Sequence, residues 1–75
     1  MPEFHLINFG PFTNNVLDYI GKPLITRGGR IVELTRRGMN FEIVIEPMME
    51  PIASTPDNLS ASYVLNQYEV GEMQP

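Results

Sequence analysis

The chain has 75 residues and a formal net charge of −4, a length that allows one domain and leaves little room for a deep catalytic cleft beside a core. Because it contains no cysteine, disulfides, thiolate nucleophiles and cysteine zinc sites are excluded. No apolar run approaches the roughly 18 residues of a membrane span, and residues 1–5 lack the basic start of a signal peptide, so we expect a soluble, cytoplasmic protein without membrane contact.

Residues 4–9 are rich in aromatic and aliphatic side chains and stop at a Gly-Pro pair, which predicts a first strand. A short helix over residues 13–20 is predicted next, because Thr13 is a suitable N-cap and apolar residues follow at helical spacing. Gly21 stands where a left-handed residue ends such a helix. A helix of about two turns is unstable by itself in water, so we expect it to pack on a sheet.

Residues 23–46 have the pattern of two successive β-hairpins. The glycines at positions 28 and 29 can form a two-residue turn, which places Ile25 opposite Val32. A second turn at positions 37 and 38 places Leu34 opposite Phe41. The two registers together gather one apolar face, made of Ile25, Val32, Leu34, Met39, Phe41, Ile43 and Ile45.

The opposite face of this predicted sheet is mostly polar, although Ile31 and Val44 also fall on it. In the predicted register Glu33 lies directly opposite Glu42, a like-charge pair that lowers stability. We predict an α+β fold for residues 1–46. A small three- to four-stranded antiparallel sheet, in the order β-α-β-β-β, is covered by the one short helix, because a sheet of this size needs such a cover.

The C-terminal part, residues 47–75, is expected to be a Pro-rich linker and an acidic tail that is partly ordered or flexible. The Thr-Pro-Asp sequence at 55–57 favours a helix start, and we predict a weak helix over 56–68. The stretch 62–70 would also suit a strand, so strand and disorder stay open alternatives. Residues 70–75 are expected to fray.

The charges are unevenly distributed along the chain. Residues 1–37 contain all five basic residues and three of the nine acidic ones, giving +2, whereas residues 38–75 contain the other six acids, giving −6. Four arginines are predicted to bind a partner, namely Arg27, Arg30, Arg36 and Arg37. Solubility of the sheet and intramolecular pairing with the acidic tail are the alternatives.

A second predicted partner-binding segment contains Met48 and Met49, which stand between two Glu-Pro pairs and are followed by Ile52. Proline keeps such a segment extended and lowers the entropy lost on binding. Methionine adapts to irregular apolar surfaces. Alternatively, Met48 and Ile52 pack against the edge of the domain.

No set of residues in the sequence predicts catalysis. His5 is the only histidine, and we do not expect its near neighbour Glu3 to share its face of the strand. No nucleophile, phosphate-binding or dinucleotide motif is present. We therefore predict that the protein is not an enzyme and has no catalytic residue, metal site or cofactor.

These observations favour a monomeric, non-enzymatic regulator that acts by contact with a larger protein partner. In size, charge polarity and lack of catalytic groups, the chain is similar to the short accessory and phage-encoded proteins that regulate or inhibit a host enzyme such as RNA polymerase. The first alternative is a nucleic-acid-binding domain that uses the four arginines on phosphates. The second is a structural subunit of a larger assembly, in which another chain completes a sheet edge.

Overall fold

A computed structural model describes residues 2–48 and 50–74. Within these residues a six-stranded antiparallel sheet is combined with one α-helix and one short 3₁₀ helix. The elements in chain order are β1 (Glu3–Leu6), the 3₁₀ helix (Val16–Tyr19), β2 (Leu24–Thr26), β3 (Ile31–Arg37), β4 (Asn40–Ile45), β5 (Ala53–Thr55), α1 (Asn58–Gln67) and β6 (Val70–Gln74). The strand order across the sheet is β1-β6-β2-β3-β4-β5.

The prediction of a three- to four-stranded sheet was wrong, because the C-terminal third of the chain adds two strands. β5 extends the sheet beside β4, and β6 inserts between β1 and β2. We expected residues 70–75 to fray, yet Val70 is fully buried and β6 pairs with a strand on each side; Pro75 lies outside the described residues. The protein is a small α+β domain whose sheet takes strands from both ends of the chain.

The helix predicted over 13–20 was also wrong in length and type. Only Val16–Tyr19 is helical, as a 3₁₀ turn, and the Oδ1 of Asn15 caps it by accepting a hydrogen bond from the Leu17 N–H at 2.8 Å. Thr13 is not the cap, because the helical turn begins only at Val16, and the Thr13 hydroxyl instead donates to the carbonyl oxygen of Asn8 at 2.6 Å. The residues before Asn15 are therefore hydrogen-bonded within the loop, and the helical turn begins only at Val16.

The helix predicted in the C-terminal part is confirmed as α1, which begins two residues later than expected. Asp57 is its N-cap, with the Oδ1 accepting from the Leu59 N–H at 3.0 Å. Ala61 and Leu65 point into the core and are fully buried. Glu69 follows with a left-handed φ of 54°, and this turn directs the chain into β6.

The first hairpin differs from its predicted register by one residue. Leu24, not Ile25, pairs with Val32, because the loop contains three residues and the Thr26 N–H donates to the Arg30 carbonyl oxygen at 2.8 Å. A slip of one residue exchanges the two faces of a strand. Leu24 is accordingly buried in the core, whereas Ile25 turns to the opposite face.

The second hairpin differs from its predicted register by two residues, which leaves the faces unchanged. Gly38 and Met39 form the turn, with Gly38 at a φ of 61°, and Met39 is 79 % exposed instead of joining the apolar face. Glu33 lies opposite Val44 rather than Glu42, so the predicted repulsion is absent from this ladder.

The core lies between the sheet and α1, with the 3₁₀ helix beside it. Because side chains alternate along a strand, every second residue of β2 and β4 enters the core, as do Val32 and Leu34 of β3. The buried apolar residues are Ile7, Phe9, Val16, Leu24, Val32, Leu34, Phe41, Ile43, Ile45, Ala61, Leu65 and Val70.

Candidate functional site

One face of the sheet is covered by α1 and the 3₁₀ helix, and the opposite face remains accessible. The strand register places the other set of alternating residues on that second face. We call it the open face. Its apolar residues are Phe4, Leu6, Ile25, Ile31, Val44 and Met73.

The open face is apolar at its centre. Leu6, Ile31 and Met73 each expose about half of their surface, at 51 %, 50 % and 48 %. Ile25, between β6 and β3, is half-buried. Ile25, Ile31 and Met73 line a depression of about 290 Å³ together with Pro23, Leu24 and Glu72. The face therefore offers half-exposed aliphatic groups over several adjacent strands.

The backbone of β1 lies very close to β6 at Gly71, and the missing side chain of Gly71 makes this possible. A Cβ placed on Gly71 would fall on the carbonyl oxygen of His5 and would lie 2.9 Å from the Cα of Leu6. Because Gly71 has no side chain there, the backbone of β1 can lie this close to β6. Arg27 lies nearby, with its guanidinium 5.2 Å from the centre of the Phe4 ring.

The arginines on the open face are already paired with acids. The Nε of Arg27 lies 3.4 Å from a carboxylate oxygen of Glu69, and Arg37 lies 3.8 Å from Glu42. Both arginine side chains are more than half exposed, so these pairs contribute little to stability. The carboxylates of Glu69 and Glu42 nevertheless compensate the positive charges of Arg27 and Arg37 on this side of the sheet.

Glu33 and Glu46, in contrast, form no ion pair among the described residues. Arg30 lies close to Glu46, but its Nε donates to the backbone carbonyl oxygen at 2.9 Å. Glu33 has Val44 as its cross-strand neighbour. Both glutamates border a second depression, which Val44 and Met48 also line. On the open face itself, the charged side chains without an ion pair are therefore these two acids, whereas Lys22 and Arg30, which also form none among the described residues, lie at its border.

The structure separates the four predicted arginines into two pairs. Arg27 and Arg30 lie before the start of β3, and Arg36 and Arg37 lie at its end. The strand has seven residues, which corresponds to about 20 Å. Arg36 also has its own partner, since its guanidinium lies 5.4 Å from the Phe41 ring centre. The four arginines do not form one continuous patch.

The methionine segment is divided between the surface and the core. Met48 is 51 % exposed and lies beside the open face. Ile52 packs against the core, and its N–H donates to the Ile43 carbonyl oxygen at 2.8 Å. Met49 lies outside the described residues. Met48 therefore lies at the surface, as the partner-binding alternative requires. Ile52 packs against the domain, as the other alternative predicts.

His5 and Glu3 do share a face, contrary to our expectation, with their side chains 3.9 Å apart. Side chains two residues apart in a strand point the same way.

Tyr19 packs on the covered side of the sheet, and its hydroxyl donates to the Asn14 Oδ1 at 3.1 Å. Partial burial raises the pKa of Tyr19, and the negative charge of Glu72 raises it further. Among the described residues, no group of three or more His, Asp or Glu is placed to hold a metal ion.

Sequence reasoning missed the open face as a site, although part of the signal was present. Ile31 and Val44 already stood on the predicted polar face, where aliphatic residues are unexpected. The contributions of Leu6 and Met73 could not be seen, because they depend on β6 pairing between β1 and β2.

In the part of the chain that the structure describes, no helix has the length and apolar character needed to cross a bilayer. Comparison of the chain with protein-family models, with curated proteins and with solved structures gave no match.

Proposed function

We propose that this chain is a cytoplasmic, non-enzymatic binding module that docks the open face of its sheet on a larger protein. The observation that carries the proposal is the set of half-exposed aliphatic side chains of Leu6, Ile31 and Met73 on a face that α1 leaves uncovered. Removing such a surface from water favours association. By occupying a surface of its partner, the module would regulate a larger enzyme, for example an RNA polymerase.

The charge of the open face indicates the chemistry of the partner. Glu33 and Glu46 border the apolar centre without a cation within ion-pair distance among the described residues, and the whole chain carries −4. A partner surface with apolar residues flanked by lysine or arginine would complement this pattern. We therefore propose a basic and apolar protein surface as the occupant.

The nucleic-acid alternative has less support from the geometry. Its four arginines lie in pairs about 20 Å apart at the two ends of β3, and both Arg27 and Arg37 are paired with acids. A phosphate backbone would have to displace these acids. The nucleic-acid alternative stays a prediction, as does the role of a structural subunit.

A library of random 12-residue peptides displayed on phage tests the proposal with the intact chain as bait. We expect enrichment of peptides that combine aliphatic residues with lysine or arginine. Amide chemical shifts of β2, β3 and β6 should change when an enriched peptide is added. Binding should weaken as salt concentration rises, because exposed charges are screened.

Two variants provide the controls for this selection. Ile31→Ser should abolish binding of the enriched peptides, whereas Met39→Ser should not, since Met39 is exposed at a turn outside the open face. The proposal fails if no peptide is enriched, or if both variants bind equally well. Tight, salt-sensitive binding of a DNA or RNA oligonucleotide with no peptide enrichment would favour the nucleic-acid alternative instead.

A further inference from the structure

The loop between β1 and the 3₁₀ helix presents one aromatic ring almost entirely to solvent. Phe12 is 96 % exposed, the highest value among the exposed large hydrophobic residues of the described chain. A phenylalanine on a flexible loop could lower this exposure by folding back on the surface. The hydrogen bonds of the loop bear on why Phe12 stays exposed.

The loop is held in one conformation by its own hydrogen bonds. The Gly10 N–H donates to the Asn14 carbonyl oxygen at 3.1 Å, and the Thr13 N–H donates to the Gly10 carbonyl oxygen at 3.3 Å. The carbonyl oxygen of Asn8 accepts two more, from the Thr13 hydroxyl at 2.6 Å and from the Asn14 amide at 3.1 Å. These hydrogen bonds join residues before Phe12 to residues after it.

The same loop is attached to the body of the domain through Phe9. The side-chain amide of Asn66 in α1 donates to the Phe9 carbonyl oxygen at 2.7 Å and accepts from the Phe9 N–H at 2.9 Å. The Phe9 ring is 2 % exposed and meets the Tyr19 ring edge-on, with centroids 5.2 Å apart. One end of the loop is therefore fixed to the helix and to the core, and Phe12 projects away from both.

The surroundings of Phe12 indicate what it can contact. Residues 8–17 contain no charged side chain, although 19 % of the whole chain is charged. Leu17, five residues further, is 47 % exposed and adds apolar surface on the same segment. Without a cation, this segment lacks the attraction that a phosphate backbone or an anionic membrane requires. A neutral, convex aromatic group instead suits a concave apolar pocket.

We infer that Phe12 is an anchor residue that inserts into an apolar pocket on a protein partner. Its ring would be removed from water on binding, and little backbone entropy would be lost, because hydrogen bonds already order the loop. Aromatic residues are enriched in this role at the centres of protein interfaces. The contact is separate from the open face, so it does not depend on the proposed function of that face.

Photo-cross-linking tests this inference with the intact 75-residue chain. The probe is p-benzoylphenylalanine at position 12, and a second chain carries it at position 39, where Met39 is likewise exposed at a turn. Each chain is irradiated in a lysate of the cells that naturally contain the protein. We expect one discrete protein adduct at position 12 that is absent at position 39, and mass spectrometry identifies the adduct.

The identified protein is then purified and its affinity for variants is measured. We expect Phe12→Ser to weaken binding about tenfold or more, Phe12→Leu to weaken it less, and Met39→Ser to leave it unchanged. Equal melting temperatures of wild type and Phe12→Ser, expected from the exposure of the ring, would show that the loss is not due to unfolding. Ile31→Ser shows whether the same partner also uses the open face.

Several results would overturn the inference. No adduct specific to position 12, or unchanged affinity of Phe12→Ser for the purified protein, would remove Phe12 as an anchor. An adduct between two copies of this chain would show that the pocket belongs to a second copy. An adduct with lipid would show that the ring enters a membrane.

Discussion

At the scale of single residues, Gly71 has the most restrictive position in the sheet. It lies in β6, opposite Leu6 of β1, and the β1 backbone occupies the space where a side chain would stand. The half-exposed Leu6 and Phe4 reach the open face because β1 can pass so close. Gly71 therefore connects the packing of the terminal strands with the candidate site.

We predict that Gly71→Ala lowers the free energy of unfolding by about 1–3 kcal/mol, because the new methyl group must displace backbone. Urea unfolding measures the change. Gly28→Ala is the matched control, since a Cβ there meets only the Thr26 Oγ1 at 3.8 Å. The control should change stability by about 0.5 kcal/mol or less. Equal effects of the two substitutions would contradict the close approach of β1.

At the scale of the elements, α1 is held by its cap and its buried face rather than by charge. The helix contains no charged residue between Asn58 and Gln67. Asp57 caps it twice, with the Oδ1 accepting from the Leu59 N–H and the Oδ2 accepting from the Ser60 hydroxyl at 3.1 Å. An acid at this end also interacts favourably with the helix dipole.

We predict that Asp57→Ala lowers the free energy of unfolding by about 1 kcal/mol. Asp57→Asn should cost less, because it keeps an acceptor for the Leu59 N–H although it loses the charge. Thermal and urea unfolding of the three proteins provide the comparison. If the alanine and asparagine variants were equally destabilised, the cap geometry would not be the cause.

At the scale of the whole molecule, the two ends of the chain meet in the sheet. β6 pairs with β1 on one side and β2 on the other, and α1 packs against β4, β5 and β6. The division into a body of residues 1–46 and a tail of 47–75 stays a prediction. In this topology, loss of β6 would leave β1 without its partner strand.

Native-state hydrogen exchange distinguishes these two organisations. We predict that the paired amides of β6 and the amides of α1 exchange about as slowly as those of β3 and β4, because all four elements unfold together. Urea dependence of the exchange should give one common opening free energy. Faster exchange throughout residues 47–74, with slow exchange before residue 46, would support the body-and-tail division instead.

Local patterns predicted some of these elements well and others poorly. The helix beginning near Asp57 was predicted because cap, proline and acid act within a few residues. The second hairpin kept its faces although the pairing moved by two residues, whereas the first exchanged Leu24 for Ile25 after a shift of one. Turn length thus decided which residues reached the core, and the glycines at 28 and 29 allow loops of either length.

The amino-acid sequence by itself determined the small α+β class, the two central hairpins and the absence of disulfides, because these depend on composition and on contacts between near neighbours. Only the tertiary structure decided that six strands share one sheet, that Leu6 and Met73 lie on one face with Ile31, and that the arginines lie at opposite ends of β3. Those arrangements depend on pairing between residues as distant as Phe4 and Met73. The alternation within β1 or β6 cannot specify which distant strand will be its neighbour.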